Sequence, residues 1–248
     1  MKSYEQTLSL ACALQLKGLT NRLDEIIEDA QRQKHSYINF LNNLLNAEIE
    51  DRKQRKLKRN LSAAHFPVEK RIDNFEFGNV KGIGKSEVIN LLEYSWLDRN
   101  ENILIFGPPG LGKTHLAIAF GYGAIEKGYT VCFERATNLM KLLKISQVQR
   151  TAEFRIRKIL KSKLIIIDEI GYTPIDRKEA NLFFNLISEL YEKSSIIITS
   201  NKSFDDWAEM LGDEIMTTAL LDRLLDHAHI YNLFGQSFRM INNKKVKK

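Results

Sequence analysis

The sequence lacks the marks of several protein classes. It holds only two cysteines, Cys12 and Cys132, far apart and without CxxC spacing. That argues against a disulfide framework and a cysteine-rich zinc site, and it suits a reducing, cytoplasmic compartment. The five histidines show no metal-ligand spacing, and His227 and His229 read as ordinary residues at a helix-to-strand corner. No apolar run approaches the ~18–20 residues needed to cross a bilayer, so no membrane-spanning role is expected. The opening MKSYEQTLSLACALQL is broken by Gln and Thr and shows no convincing cleavage site, so it reads as a helix and not as a leader. Internal repeats and low-complexity linkers are absent too. Hydrophobic residues at 44% and charged residues at 27% over 248 positions exclude a wholly disordered or collagen-like chain. The length suits one good-sized domain with a smaller appendage.

Acid is what three stretches lack. Residues 52–59 (RKQRKLKR) carry six basic residues and no acid, 138–163 eight and one, and 239–248 five and none. The rest of the chain holds 18 basic residues against 30 acids, a net charge of −12. One basic run alone is equally well a solvated helix face. Three of them on a net-negative body point to a polyanion, nucleic acid before an anionic membrane. The candidate phosphate contacts are Arg52, Lys53, Arg55 and Lys56 in the first run, and Lys141, Lys144, Arg155 and Arg157 in the second.

Periodicity divides the chain. Residues 1–62 read as helical, with Gly18 punctuating the first helix. Leu23, Ile26, Ile27 and Ala30 share one face of the next. Ser36 is placed to cap a longer helix that buries Tyr37, Phe40, Leu41, Leu44, Leu45 and Ile49 and ends in the first basic run. Phe66-Pro67 then breaks the helix. The boundary is expected between 62 and 78, giving a small all-helical domain over 1–65 and a second domain over 66–248. From about residue 86, strands expected at 103–106, 130–133, 164–167, 195–199 and 229–234 alternate with helices. Ser203 and Asp206 would form a capping box. Strands separated by helices mean an α/β fold with a parallel sheet covered on both faces.

Gly107-Pro108-Pro109-Gly110-Leu111-Gly112-Lys113-Thr114 matches GxxxxGK[ST] in full, follows the strand ILIF and opens a helix, and these eight residues with His115 are the candidate nucleotide contacts. Glycines let backbone N–H groups converge on phosphate oxygens, and the helix N-terminus adds positive potential. Lys113 would reach the β- and γ-phosphates of ATP, and the Thr114 hydroxyl would ligate Mg²⁺. Leu164-Ile165-Ile166-Ile167-Asp168-Glu169 delivers two acids at the end of a buried strand, where open α/β sheets bind ligands. Asp168 suits the magnesium or its water, and Glu169 is placed to orient or deprotonate an attacking water. Ser195 to Asn201 repeats the design, which puts Asn201 beside the γ-phosphate or, alternatively, merely at a turn. Arg223 among Asp222 and Asp226 reads as a surface ion pair, and Arg239 is anonymous.

GPPGLGKTHLA, IIIDEIGY, IITSNKSFDDW and ALLDRLLDHAHI together resemble the IstB-like AAA+ ATPases, helper proteins of bacterial insertion sequences, with the helicase loader DnaC as a cousin. YINFLNNLL with Glu48, Arg52 and AHFP is similar to that family's N-terminal signature, so the resemblance spans nearly the whole chain. It implies that Arg223 is an arginine finger entering a neighbouring subunit's site, and that Arg239 is a γ-phosphate sensor, with Phe238 where the family usually has tyrosine. It further implies a homo-oligomer with ATP sites between subunits, assembly on duplex DNA without sequence preference, DNA remodelling, and stimulation of a transposase encoded by the same element. Three alternatives stand beside it. A helicase loader would differ in its partner, a nucleotide switch in lacking hydrolysis, and a small-molecule kinase in having an acceptor site that is not evident here.

Overall fold

The computed structural model describes residues 2–171 and 175–238. The chain divides into two compact units, residues 1–59 and 60–248.

The first unit is helical: α1 (Lys2–Ala13), α2 (Lys17–Gln33) and α3 (Tyr37–Ala64), the last continuing into the second unit. The break after α1 falls at 14–16, where Gln15 takes a φ of 56°, and not at Gly18. Gly18 lies inside α2, where that helix crosses α3. A Cβ there would come within 2.4 Å of the Ala47 carbonyl oxygen and 2.6 Å of the Asp51 Cβ, so the crossing demands glycine. The buried Glu48 carboxylate accepts the Gly18 and Leu19 N–H groups at 2.8 and 3.3 Å, which caps the start of α2. Burial acts to raise its pKa, but the bonds from Arg52 and from those two N–H groups outweigh it and hold Glu48 below the usual carboxylate range. Ser36 caps α3 as expected, its hydroxyl accepting the Asn39 N–H.

The apolar stripe of α3 corrects the sequence reading in part: Phe40 and Leu44 are partly buried, but the other four are exposed. Tyr37 is 94% exposed, and Leu41, Leu45 and Ile49 are each about half exposed. Helix α2 crosses α3 at Ala47, Glu48 and Asp51, away from that stripe, so within this unit the stripe stays open.

The second unit begins with two 3₁₀ turns (Ile72–Asn74 and Phe77–Asn79), then β1 (Val80–Lys81), α4 (Lys85–Leu91) and α5 (Ser95–Asp98). There follow β2 (Asn102–Phe106), α6 (Lys113–Glu126), β3 (Val131–Arg135), α7 (Ala136–Ser146), α8 (Arg150–Leu160) and β4 (Leu164–Ile170). The remainder is α9 (Arg177–Leu190), β5 (Ser195–Ser200), α10 (Asp205–Leu211), α11 (Glu214–Leu225), β6 (Ala228–Asn232) and β7 (Phe234–Gly235). Five strands form one parallel sheet in the order β3-β4-β5-β2-β6. Strands β2 and β5 are buried at every position, and β4 at all but Glu169, which explains their near-continuous apolar sequences. One face of the sheet packs on Leu139, Leu143, Phe183, Leu186, Trp207 and Leu220. Buried Asn102 ties the sheet's start together: its amide donates to Leu224 O at 3.0 Å and its oxygen accepts the Ile196 N–H at 2.9 Å.

The final strand ends at Asn232, two residues earlier than expected. Phe234–Gly235 instead pair antiparallel with β1, a small second sheet that the sequence did not announce. Asp206 accepts both the N–H and the hydroxyl of Ser203, so only the back-reaching half of the expected capping box forms.

Candidate nucleotide site

The parallel order puts the ends of β2, β4 and β5 side by side. Strand β2 runs into the glycine-rich loop, and α6 starts at Lys113. Gly112, at the N-cap, has φ 87°, and a Cβ there would lie 2.7 Å from the Phe75 ring. Only glycine fits both the left-handed backbone and the approach of that ring. Lys113 folds back over the loop, and its ammonium donates to the carbonyls of Gly107 and Pro108 at 2.6 and 2.9 Å.

From this loop Thr114 donates its hydroxyl proton to Asp168 Oδ1 at 2.8 Å. Asp168 is 1% exposed and accepts a second hydroxyl proton, from Thr199, at 2.6 Å. Burial pushes its pKa up, against the pull of the two hydroxyl donors. Glu169 follows with φ 62°, a left-handed backbone that costs a non-glycine residue about 1–2 kcal/mol. Six other non-glycine residues, Gln15, Lys34, His65, Tyr94, Asn100 and Glu192, share this conformation; Glu169 is the one that lies at the end of a central strand. Asn201 arrives from the end of β5, and its side-chain oxygen is buried without a hydrogen-bond partner among the described residues.

These residues line one cavity of about 500 Å³. Of the residues singled out in the sequence, it holds Pro109, Gly110, Gly112, Lys113, Thr114, His115, Asp168, Glu169 and Asn201. The donor set fits Mg²⁺. An alcohol oxygen and a carboxylate already touch each other under the phosphate loop, and a hard cation that keeps waters and phosphate ligands needs only one or two such protein oxygens. Among the described residues no cluster of three or more His, Cys, Asp or Glu could hold a metal by itself.

Other wall residues went unnoticed in the sequence. Val68, Glu69, Lys70, Asn74 and Phe75 come from the segment read only as a boundary. Phe75 packs edge-on against Phe77 and His115, and Phe238 approaches it at 6.4 Å. The Phe238 N–H donates to Gly110 O at 2.9 Å, which brings the C-terminal segment onto the phosphate loop. Arg239 and the basic run at 239–248 lie outside the described residues. Arg135, at the end of β3, stands in register with Asp168 and also lines the cavity. The strand-end rule that picked out Glu169 and Asn201 would have found it.

Arg223 is not in this cavity. It borders a separate one of about 240 Å³, near the start of β2 and β5, with Asn100, Tyr191 and His227. The surface ion pair expected of it does not form among the described residues. Its guanidinium donates to Ala219 O at 2.6 Å and lies 4.9 Å from the Phe184 ring centroid, while Asp226 accepts from Tyr191.

The basic candidates divide. Arg52 and Arg55 pair with Glu48 and Asp51 along α3, and Lys53 and Lys56 are exposed beside them. Lys141 is exposed, Lys144 pairs with Asp176, and Arg157 with Glu153. Arg155 departs from the rest: it is 14% exposed and bonds Glu134, Ala63 O and Phe133 O, so it braces α8 against β3.

Known proteins resemble this chain along nearly its whole length. The family model described as IstB-like ATP binding protein matches residues 9–246. An insertion sequence IS21 ATP-binding protein of Pseudomonas aeruginosa is 38% identical over 96% of this chain and 89% of its own length. The corresponding IS5376 protein of Geobacillus stearothermophilus is 40% identical over 92% and 90%. Among solved structures, DnaI superposes with a TM-score of 0.58 at 16% identity, covering 67% of this chain and 92% of that one. The DnaC helicase loader gives 0.53 at 19%, covering 71% and 99%. At such identities these two likenesses speak for the AAA+ P-loop fold alone.

Proposed function

The chain belongs to the IstB-like ATP-binding proteins, and from that premise we propose that it is a magnesium-dependent ATPase that assembles on duplex DNA, remodels it and stimulates the transposase of an insertion sequence. The observation that carries the hydrolytic part is the meeting of Lys113, the Thr114–Asp168 pair, Glu169 and Asn201 in one cavity beneath the glycine-rich loop. In this reading the loop N–H groups and Lys113 grip the phosphates. Thr114 and Asp168 hold Mg²⁺, which when bound neutralises charge on the β- and γ-phosphate oxygens. Glu169 accepts the proton of the attacking water, and the unpartnered oxygen of Asn201 helps to orient that water.

Arg223 completes the site of a neighbouring subunit, so the working form is a homo-oligomer. Its separate cavity and its freedom from ion pairs among the described residues support that role. Arg239 is assigned as a γ-phosphate sensor through the family resemblance. Phosphate contacts to DNA come from the exposed Lys53, Lys56 and Lys141, with Arg52, Arg55, Lys144 and Arg157 as residues that can exchange an acid partner for a phosphate. A cytoplasmic site of action belongs to the same reading, and no helix among the described residues is long and apolar enough to cross a membrane.

The test is phosphate release with and without duplex DNA, together with co-purification against a transposase and a replicative helicase. DNA-stimulated release and transposase capture support the reading. Capture of the helicase alone would make the chain a loader, and no release under either condition would make it a nucleotide switch.

A further inference from the structure

We propose that Thr199 is the positioning residue that builds the hydrolytic geometry, fixing Glu169 and Asp168 relative to each other through one hydroxyl group. The inference rests on the reading of Glu169 as the base.

The β4–β5 ladder pairs Leu164 with Ser195 and continues in step to Ile167 with Ile198, then resumes at Ile170 with Ser200. Two residues, Asp168 and Glu169, therefore face one, Thr199. That is the arithmetic of a β-bulge, a device that re-aims a side chain at the end of a strand. The bulge takes the Glu169 N–H out of the ladder and holds its backbone at φ 62°. Thr199 Oγ1 accepts that N–H at 2.9 Å and donates its own hydrogen bond to Asp168 Oδ1 at 2.6 Å. Thr199 is 0% exposed, so water has no access to replace either bond. The hydroxyl is thus matched to both tasks, one bond accepted and one donated. It stabilises the left-handed turn that aims Glu169 at the cavity, and it orients the carboxylate next to it.

Valine reproduces the shape of threonine and removes the hydroxyl, whereas serine keeps the hydroxyl. The full chain carrying Thr199→Val, Thr199→Ser or no change is compared in three measurements: hydrogen exchange at the Glu169 amide without nucleotide, affinity for an ATP analogue, and turnover. Thr199→Val should exchange the Glu169 amide at least ~10-fold faster, since its acceptor is gone. It should bind nucleotide within a few-fold of the unaltered protein while turnover falls on the order of 10²-fold, the scale of a ~1 Å misplacement. Thr199→Ser should restore protection and most of the turnover. Should the valine protein not fold, Thr199→Cys, with its weak sulfur donor and acceptor, is expected to lie between serine and a complete loss. Unchanged exchange and full turnover in Thr199→Val would overturn the proposal, as would a folded Thr199→Ser protein as inactive as the valine one. The amide measurement needs no catalysis. If Glu169→Gln turned over normally, the reading of the base would fail while the exchange result still judged Thr199.

Discussion

Arg223→Ala should separate stability from catalysis. In the subunit, the Arg223 guanidinium makes two contacts, the bond to Ala219 O and the approach to the Phe184 ring. A partly exposed cation–π contact is worth about 0.5–1 kcal/mol, and a hydrogen bond at a part-buried position adds a net amount on the order of 0.5 kcal/mol. The loss of stability should therefore be about 1 kcal/mol, or ~2–4 °C in melting temperature for a domain of this size. An arginine finger acting on a neighbour's γ-phosphate is worth ~10³–10⁵ in turnover. The lower bound already corresponds to about 4 kcal/mol of transition-state stabilisation. The assay is phosphate release by Arg223→Ala, by Glu169→Gln, and by an equal mixture, with sedimentation to show that mixed oligomers form. Each protein alone should be nearly inactive. A head-to-tail interface filled at random pairs an intact Glu169 with an intact neighbouring Arg223 at about one site in four, so the mixture should recover roughly that share of the unaltered activity. A mixture no more active than its parts, with mixed oligomers present, would refute action in trans. Full activity in Arg223→Ala would refute the finger altogether.

Lys113→Ala should lose nucleotide binding, whereas Glu169→Gln should bind ATP normally and release no phosphate; normal turnover by the glutamine protein would remove Glu169 as base. Gly112→Ala forces a side chain into a left-handed turn against Phe75 and should weaken nucleotide binding by about 1–3 kcal/mol, read by titration; an unchanged affinity would contradict the cradle described for Gly112. DNA affinity should fall with salt at a log–log slope of about −0.9 per phosphate neutralised, and reversing Lys53, Lys56 or Lys141 to glutamate should flatten that slope, while a strong preference for one sequence at moderate salt would oppose a phosphate-based contact. Arg155→Ala should instead cost about 1.5–3 kcal/mol of stability in urea unfolding, because it leaves the half-buried Glu134 without its charged partner.

The site was legible in the sequence where chemistry sits on a contiguous segment. The glycine-rich loop, Asp168 with Glu169, and Asn201 each follow an apolar run. A parallel sheet brings strand ends together whatever the distance along the chain, so reading three strand ends was enough to assemble most of one cavity. Contacts between distant segments stayed hidden. Nothing local says that Phe75 will lean on Gly112, or that residues 68–76 will form a wall of the cavity. The fate of a charge was equally invisible: Arg155 and Arg157 are two positions apart in one basic run, yet one braces the core and the other faces solvent. Periodicity also overreached on α3. The spacing of Tyr37, Leu41, Leu45 and Ile49 is truly helical, but a stripe is buried only where another element lies along it, and α2 crosses elsewhere.

In the proposed function, sharing of the ATP site between subunits makes ATP the gate for assembly on DNA. Subunits that share a nucleotide site can lock together only when a γ-phosphate is there to be gripped, and each added subunit brings further basic side chains to the duplex, so contacts multiply with oligomer length. By linkage, DNA should tighten ATP binding by the same factor as ATP tightens DNA binding. Sedimentation of the protein with duplex DNA in the presence of ATP, a non-hydrolysable analogue or ADP tests this directly, with Glu169→Gln as the form that holds the assembled state. The account predicts large DNA complexes with ATP and the analogue, persistent ones with Glu169→Gln, and weak, small ones with ADP. Complexes of equal size and affinity in ADP and ATP would contradict it.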